Sequence, residues 1–453
     1  MQKHFSKLES LKKYLIASLI LAIPLYPKFP LFPIPGTYVS IRLEDFLISL
    51  TLFAFLFSGI SDRKFILKDR VFLSIFMYLG VGVLSLISSI LITQTVVPKL
   101  GFLHWIRRVE YLSMFFVGYS YLKHNPRSIH FFMKLLPIVV IIDFIYGLGQ
   151  RYFTWPIIIT QNEEYAKGVA LRYIEGSHIN STFAGHYDLA TYLVFTLPLI
   201  LSLVIYSKKI NTFYLLVYTS GLWLLVNTAS RISLVSFIGA ATLSLILLKK
   251  FRKGFALIVL SILFIGFSSN LITRYQRVIR LFSEQVKRYT IEMVITPVYA
   301  EEGSVMRRET AVATPTPIPV FEDRSTSIRL NVEWPRALRA LSKNPLLGTG
   351  YSSITLATDN DYLRMLGETG IIGFSSFFLI LANLLKKLLK YLKTTKIRSD
   401  LESVYILSFA GGFMGILINA VFIDVFEASK FAITLWLVLG MLYGKITTKE
   451  NEL

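Results

Sequence analysis

Two arginines and an Asp-Asn pair stand out in this chain because their types suit the handling of an anion and a hydroxyl. Arg329 lies five residues before Trp334, about one and a half turns of helix away. A guanidinium there could clamp an anionic group while the indole offers an apolar face to a sugar or lipid. The alternative is a solvated arginine beside a packing tryptophan. Asp359 and Asp361 follow in Thr-Asp359-Asn360-Asp361. They read either as a base that takes a proton from a hydroxyl or as caps for the next helix. Arg231, in Asn227-Thr-Ala-Ser-Arg-Ile-Ser, opens an apolar run. It is a fixed guanidinium suited to phosphate, or an interfacial arginine reaching lipid headgroups.

Other polar residues interrupt apolar runs. In His104-Trp-Ile-Arg-Arg-Val-Glu-Tyr111 the charges fall about two turns into a span, where they are costly unless paired or facing a cavity. Arg107 and Glu110 are three apart and can pair on one helical face. Arg108 points elsewhere and needs a partner or a ligand. His178, His186 and Asp188 surround the start of another span. They read as a base active near neutral pH or as a capping, interfacial cluster. Arg108, Trp334, His186, Asn360 and Tyr351 form the expected substrate-binding set, with Asp359, Arg231 and Arg329 as the reacting set. No two histidines have metal-ligand spacing, so neither a metal nor a cofactor is expected.

The elements that position these residues are membrane helices. Hydrophobic residues make up 54% of the chain and charged ones 17%, well below the roughly one quarter of a soluble domain. Apolar runs long enough to cross a bilayer recur about a dozen times. They lack the period-2 alternation of barrel strands. The fold class is therefore all-α and polytopic, with about 12 transmembrane helices. Expected spans lie at 14–34, 43–60, 71–93, 101–122, 129–150, 186–206, 211–228, 231–248, 254–272, 369–389, 402–423 and 429–446. The Lys-rich start resembles a signal sequence, but Pro24, Pro27, Pro30 and Pro33 follow where a cleavage site would stand, so it is read as the first span.

A net charge of +20 would suit nucleic acid, but its placement excludes that class. Lysines and arginines gather in alternate gaps, such as Arg63–Arg70, Lys249–Lys253 and Lys386–Arg398. That is the positive-inside pattern, with anionic lipid heads as the contact. It places both termini in the cytoplasm and residues 273–368 outside. The chain divides into spans at 1–272 with an outer loop at 151–185, a large outer loop at 273–368, and final spans with a cytoplasmic tail at 369–453. Within the large loop, 274–292 reads as a basic amphipathic helix and 311–319 as an extended linker. Residues 328–343 read as a helix stopped by Asn344-Pro345.

These residues together resemble the O-antigen ligase and O-antigen polymerase superfamily. Ser230-Arg231 at a span entrance looks like its first essential arginine, and Arg329 before Trp334 like the arginine of its large loop. Asn344-Pro-Leu-Leu-Gly-Thr-Gly350 matches its turn. Asp359-Asn360, nine residues, then Gly370-Ile-Ile-Gly373 matches the ligase signature in spacing, as Ser181-Thr-Phe and Leu189-Ala-Thr-Tyr-Leu193 match a span entrance. The signature begins with His, and Asp359 stands in its place, a departure that favours polymerase over ligase. The resemblance implies a multi-pass enzyme of the cytoplasmic membrane with a GT-C-like glycosyltransferase architecture. Its reaction would be metal-independent and inverting, from a polyprenyl-diphosphate-linked glycan donor to a hydroxyl of a glycan, lipid or protein acceptor. Transfer of finished glycan by a ligase is the alternative, and a transporter of lipid-linked sugars is a further one.

Overall fold

The computed structural model describes residues 2–27, 30–37, 39–57, 66–157, 172–174, 177–206, 209–264, 328–354, 358–394 and 400–451. The expected amphipathic helix at 274–292 and the linker at 311–319 lie outside them, as does much of the 151–185 loop.

The described residues form a helical bundle with one short hairpin. The helices are α1 (Gln2–Leu25), α2 (Leu43–Phe57), α3 (Arg70–Leu91), α4 (Pro98–His124) and α5 (Ile129–Tyr152). They continue as α6 (His186–Val204), α7 (Thr212–Asn227), α8 (Arg231–Leu247) and α9 (Phe251–Leu263). After a π turn at Arg329–Glu333 come α10 (Trp334–Lys343), α11 (Asp361–Thr394), α12 (Leu401–Asn419) and α13 (Ser429–Asn451). Each expected span holds a helix. Among the described residues, six helical segments are long and apolar enough to cross a membrane, among them Arg70–Leu91, His186–Val204 and Asp361–Lys393. The described residues are those of a predominantly helical membrane protein.

The first expected span needs correction. Its outer part is not helix: α1 ends at Leu25, and β1 (Pro30–Pro33) pairs antiparallel with β2 (Ser40–Arg42). Pro27 and Pro30 each lack the N–H that would continue the helix.

Apolar burial fixes the bundle. Phe72 of α3 meets Phe115 and Tyr119 of α4 and Tyr443 of α13, with ring centroids 4.8 to 5.9 Å apart. α4 and α13 approach so closely that a Cβ on Gly440 would lie 2.1 Å from the Phe115 carbonyl oxygen. Small residues at such crossings let membrane helices pack backbone to backbone. α6 is buried almost throughout and packs against α7, α8 and α12, making it the central post. Large apolar side chains such as Phe57, Leu91 and Leu263 remain exposed, as expected of a surface that meets lipid.

Candidate active site

Four helix ends converge at one end of the bundle: the starts of α6, α8 and α11 and the end of α12. Ser230, just before α8, shares a hydrogen bond with Ser233, which donates to Asn419 at the end of α12. Asn419 donates in turn to Thr191 of α6 at 2.8 Å. The Asp361 amide donates to the carbonyl of Ala420, the residue after α12. Arg231 thus begins α8 at this end, and His186 begins α6 there.

The arginine before α10 meets Asp359. Arg329 donates through Nε at 3.0 Å and through a terminal nitrogen at 2.7 Å, both to Oδ2 of Asp359. The Tyr187 hydroxyl also accepts from Arg329 at 3.4 Å. His186 stacks its ring on Tyr187 with centroids 4.1 Å apart, so it stands one residue removed from the guanidinium. Burial works against the charge on Arg329, but Asp359 and Tyr187 more than offset it, and its pKa is raised. Burial also raises the Asp359 carboxyl above the usual range, against the pull of Arg329. Trp334 opens α10 with its ring against Phe422, 6.1 Å between centroids.

The capping expectation fails. Asp359 adopts a left-handed backbone (φ 48°) and turns its carboxylate to Arg329. Asn360 caps α11 instead, its side-chain oxygen accepting from the Leu363 amide at 3.0 Å. Asp361 serves another strand of chain and accepts from the Val425 and Phe426 amides at 2.6 and 3.0 Å. Asp424 reciprocates, accepting from the Thr358 and Asn360 amides and from Arg364. The two loops therefore hold each other through exchanged carboxylates, and Asp359 projects from the fixed junction.

The Pro-Leu-Leu-Gly turn holds a break in the helix that follows it. α11 breaks at Gly370, whose φ is 66° and ψ −172°. Thr349 and Gly350 donate their amides to the carbonyls of Gly367 and Glu368, while Ile371 and Ile372 donate to Pro345 and Leu346. The backbone groups orphaned by the break are thus satisfied by the turn, as buried amides require. A Cβ on Gly370 would lie 2.3 Å from the Leu346 oxygen, and one on Gly348 2.4 Å from the Glu368 backbone.

Arg108 and Tyr351 come together in a second place, deeper in the bundle. The guanidinium lies 5.3 Å from the Tyr351 ring and pairs with Glu427. Both line a cavity of about 30 Å³ with Asp361, Glu368 and Trp436, room for a water or two. Arg107 pairs with Glu110 at 2.9 Å, as its spacing predicts, and also with Asp45.

Residues 214–378, somewhat over a third of the chain, match the family model described as O-antigen ligase. This segment is similar to the O-antigen ligase family. No curated protein matches the chain. The matched segment contains Arg231, Arg329, Trp334, Tyr351, Asp359 and Asn360. His186, Arg108 and the loop carrying Asp424 and Glu427 lie outside it.

Tyr187, Glu333, Arg364, Asp424 and Glu427 also surround this site, and the sequence pattern does not single them out as site residues. A signal existed for some of them. Asp424 and Glu427 crowd one short gap between spans, and Arg364 with Glu368 forms an i,i+4 pair at the start of a span. Nothing in the pattern singles out Tyr187.

Proposed function

We propose that this protein is a glycan polymerase acting at the outer face of the cytoplasmic membrane. A polyprenyl-diphosphate-linked oligosaccharide is the donor, and a sugar hydroxyl of the acceptor glycan attacks its anomeric carbon with inversion. The observation that carries the reading is the Arg329–Asp359 pair, held within the segment that matches the family. A guanidinium fork binds diphosphate oxygens as readily as a carboxylate. Charge grows on the diphosphate as it leaves, so Arg329 and Arg231 stabilise the transition state more than the ground state. Asp359 hydrogen-bonds the acceptor hydroxyl once the donor engages Arg329. Trp334, His186, Asn360 and the deeper Arg108–Tyr351 pair are assigned to substrate binding.

This orientation follows from the charge pattern, with about twelve crossings, both termini inside and residues 273–368 outside. Reaction in a purified, reconstituted system is expected to need no metal. For Arg231→Ala, elongation of a lipid-linked donor in proteoliposomes should fall on the order of 10²-fold or more. Polymerisation at the wild-type rate would remove Arg231 from the reacting set.

A ligase moving finished glycan to a lipid or protein is the second reading, favoured by the description of the matching family. Asp359 in place of the signature His favours polymerase. Gel analysis of the product separates them: repeated transfer gives a ladder, and a single transfer gives one band.

A further inference from the structure

Glu333 is a carboxylate that the reading above leaves idle. It closes the π turn that Arg329 opens, and the Trp334 amide reaches back five residues to the Arg329 carbonyl. Residues four apart lie on one face of a helix, so Arg329 and Glu333 share one side of this segment. Such turns cluster at functional sites, because the extra residue re-aims a side chain without breaking the helix.

The surroundings of Glu333 differ from those of Asp359 in one respect. Oδ2 of Asp359 accepts two hydrogen bonds from Arg329. Oε2 of Glu333 is buried and has no hydrogen-bond partner among the described residues. The charged groups that act on it are Arg329 and Arg336 from its own segment, Asp359 from the loop before α11, and Asp424 from the loop after α12. Asp424 is itself held by Arg364. A buried carboxylate oxygen without a donor is costly unless something fills the place. In this site the natural donor is a hydroxyl.

We infer that Glu333 is the general base of the transfer, the group that receives the proton of the acceptor hydroxyl, while Asp359 orients that hydroxyl and tethers Arg329. The inference rests on the glycan-transfer reading above. In the step, the hydroxyl oxygen bonds to the anomeric carbon and the bond from that carbon to the diphosphate oxygen breaks. The electron pair leaves with polyprenyl diphosphate, and the proton ends on Glu333. Burial first, and then the negative charge of Asp359, push the Glu333 carboxyl up to about 7. A base near the working pH combines a useful deprotonated fraction with a strong pull on the proton. Asp359, clamped by Arg329, is the poorer acceptor.

The experiment is the pH dependence of single-turnover elongation in proteoliposomes, with the full chain and a polyprenyl-diphosphate-linked oligosaccharide. Wild type, Glu333→Gln, Glu333→Asp and Asp359→Asn are compared, with release of polyprenyl diphosphate as a second readout. Wild type should lose rate as pH falls through about 7, because the base becomes protonated. Glu333→Gln should lose roughly 10²–10⁴-fold and lose that limb. Glu333→Asp should keep the limb with a displaced midpoint, and Asp359→Asn should be slower with the limb in place. A Glu333→Gln protein that keeps the limb, or turns over at the wild-type rate, overturns the role of Glu333 while leaving glycan transfer intact. If Glu333→Gln does not fold, an unmoved midpoint in Glu333→Asp overturns it equally. A wild-type protein that releases no polyprenyl diphosphate at any pH overturns the transfer reading itself, and the base with it.

Discussion

At the scale of single residues, the proposed transfer turns on how Arg329 would divide itself between Asp359 and an incoming diphosphate. In the structure both its Nε and one terminal nitrogen go to one carboxylate oxygen. On the proposed reading, a donor diphosphate would compete for the same fork, and its arrival would free Asp359 for the acceptor. Arg329→Lys keeps the charge and loses the fork. It should raise the donor concentration needed for half-maximal rate, and saturation kinetics in proteoliposomes check this. An unchanged requirement would mean that Arg329 does not hold the donor. Arg231, Arg329 and Asp359 were legible in the sequence because charge is rare beside apolar runs. The pairing of Arg329 with Asp359 was not, because thirty residues separate them and only the folded turn joins them. Glu333 was illegible for a related reason: its significance lies in a π turn that leaves no mark on the residue pattern.

At the scale of elements, the signature with glycines at 348, 350, 370 and 373 describes a joint. The break in α11 at Gly370 exposes backbone amides and carbonyls, and the turn after Pro345 pairs with them. Sequence alone shows the glycines as punctuation, since backbone-to-backbone pairing needs no particular side chain. The helix reading of 328–343 and its stop at Asn344-Pro345 agree with the ends of the π turn and α10. The proline-rich end of the first span does not, since a hairpin replaces helix there. Gly370→Ala would place a methyl group against the Leu346 backbone at a positive φ. It should destabilise the joint by roughly 1–3 kcal/mol or more. The thermal unfolding midpoint in detergent should fall accordingly, with glycan transfer lost at temperatures where wild type still works. A midpoint equal to wild type would show that the joint is not strained by the added carbon.

At the scale of the whole molecule, the bundle brings helix ends from opposite parts of the chain to one face. The matched family segment supplies Arg231, Arg329 and Asp359, while α6 and the loop after α12 supply Tyr187 and Asp424. Fold class was legible from apolar run length, and the lateral arrangement of helices was not, because lipid-facing and buried positions are equally apolar. The proposed function requires that this assembly form glycosidic bonds from a polyprenyl-diphosphate donor. The most direct measurement is gel and mass analysis of products from the purified protein in proteoliposomes with such a donor. A polymerase should give a ladder of lengthened glycans together with released polyprenyl diphosphate, both reduced on the order of 10²-fold or more by Arg231→Ala. Donor that crosses or binds the membrane protein but stays intact, with no new glycosidic bond, would contradict it.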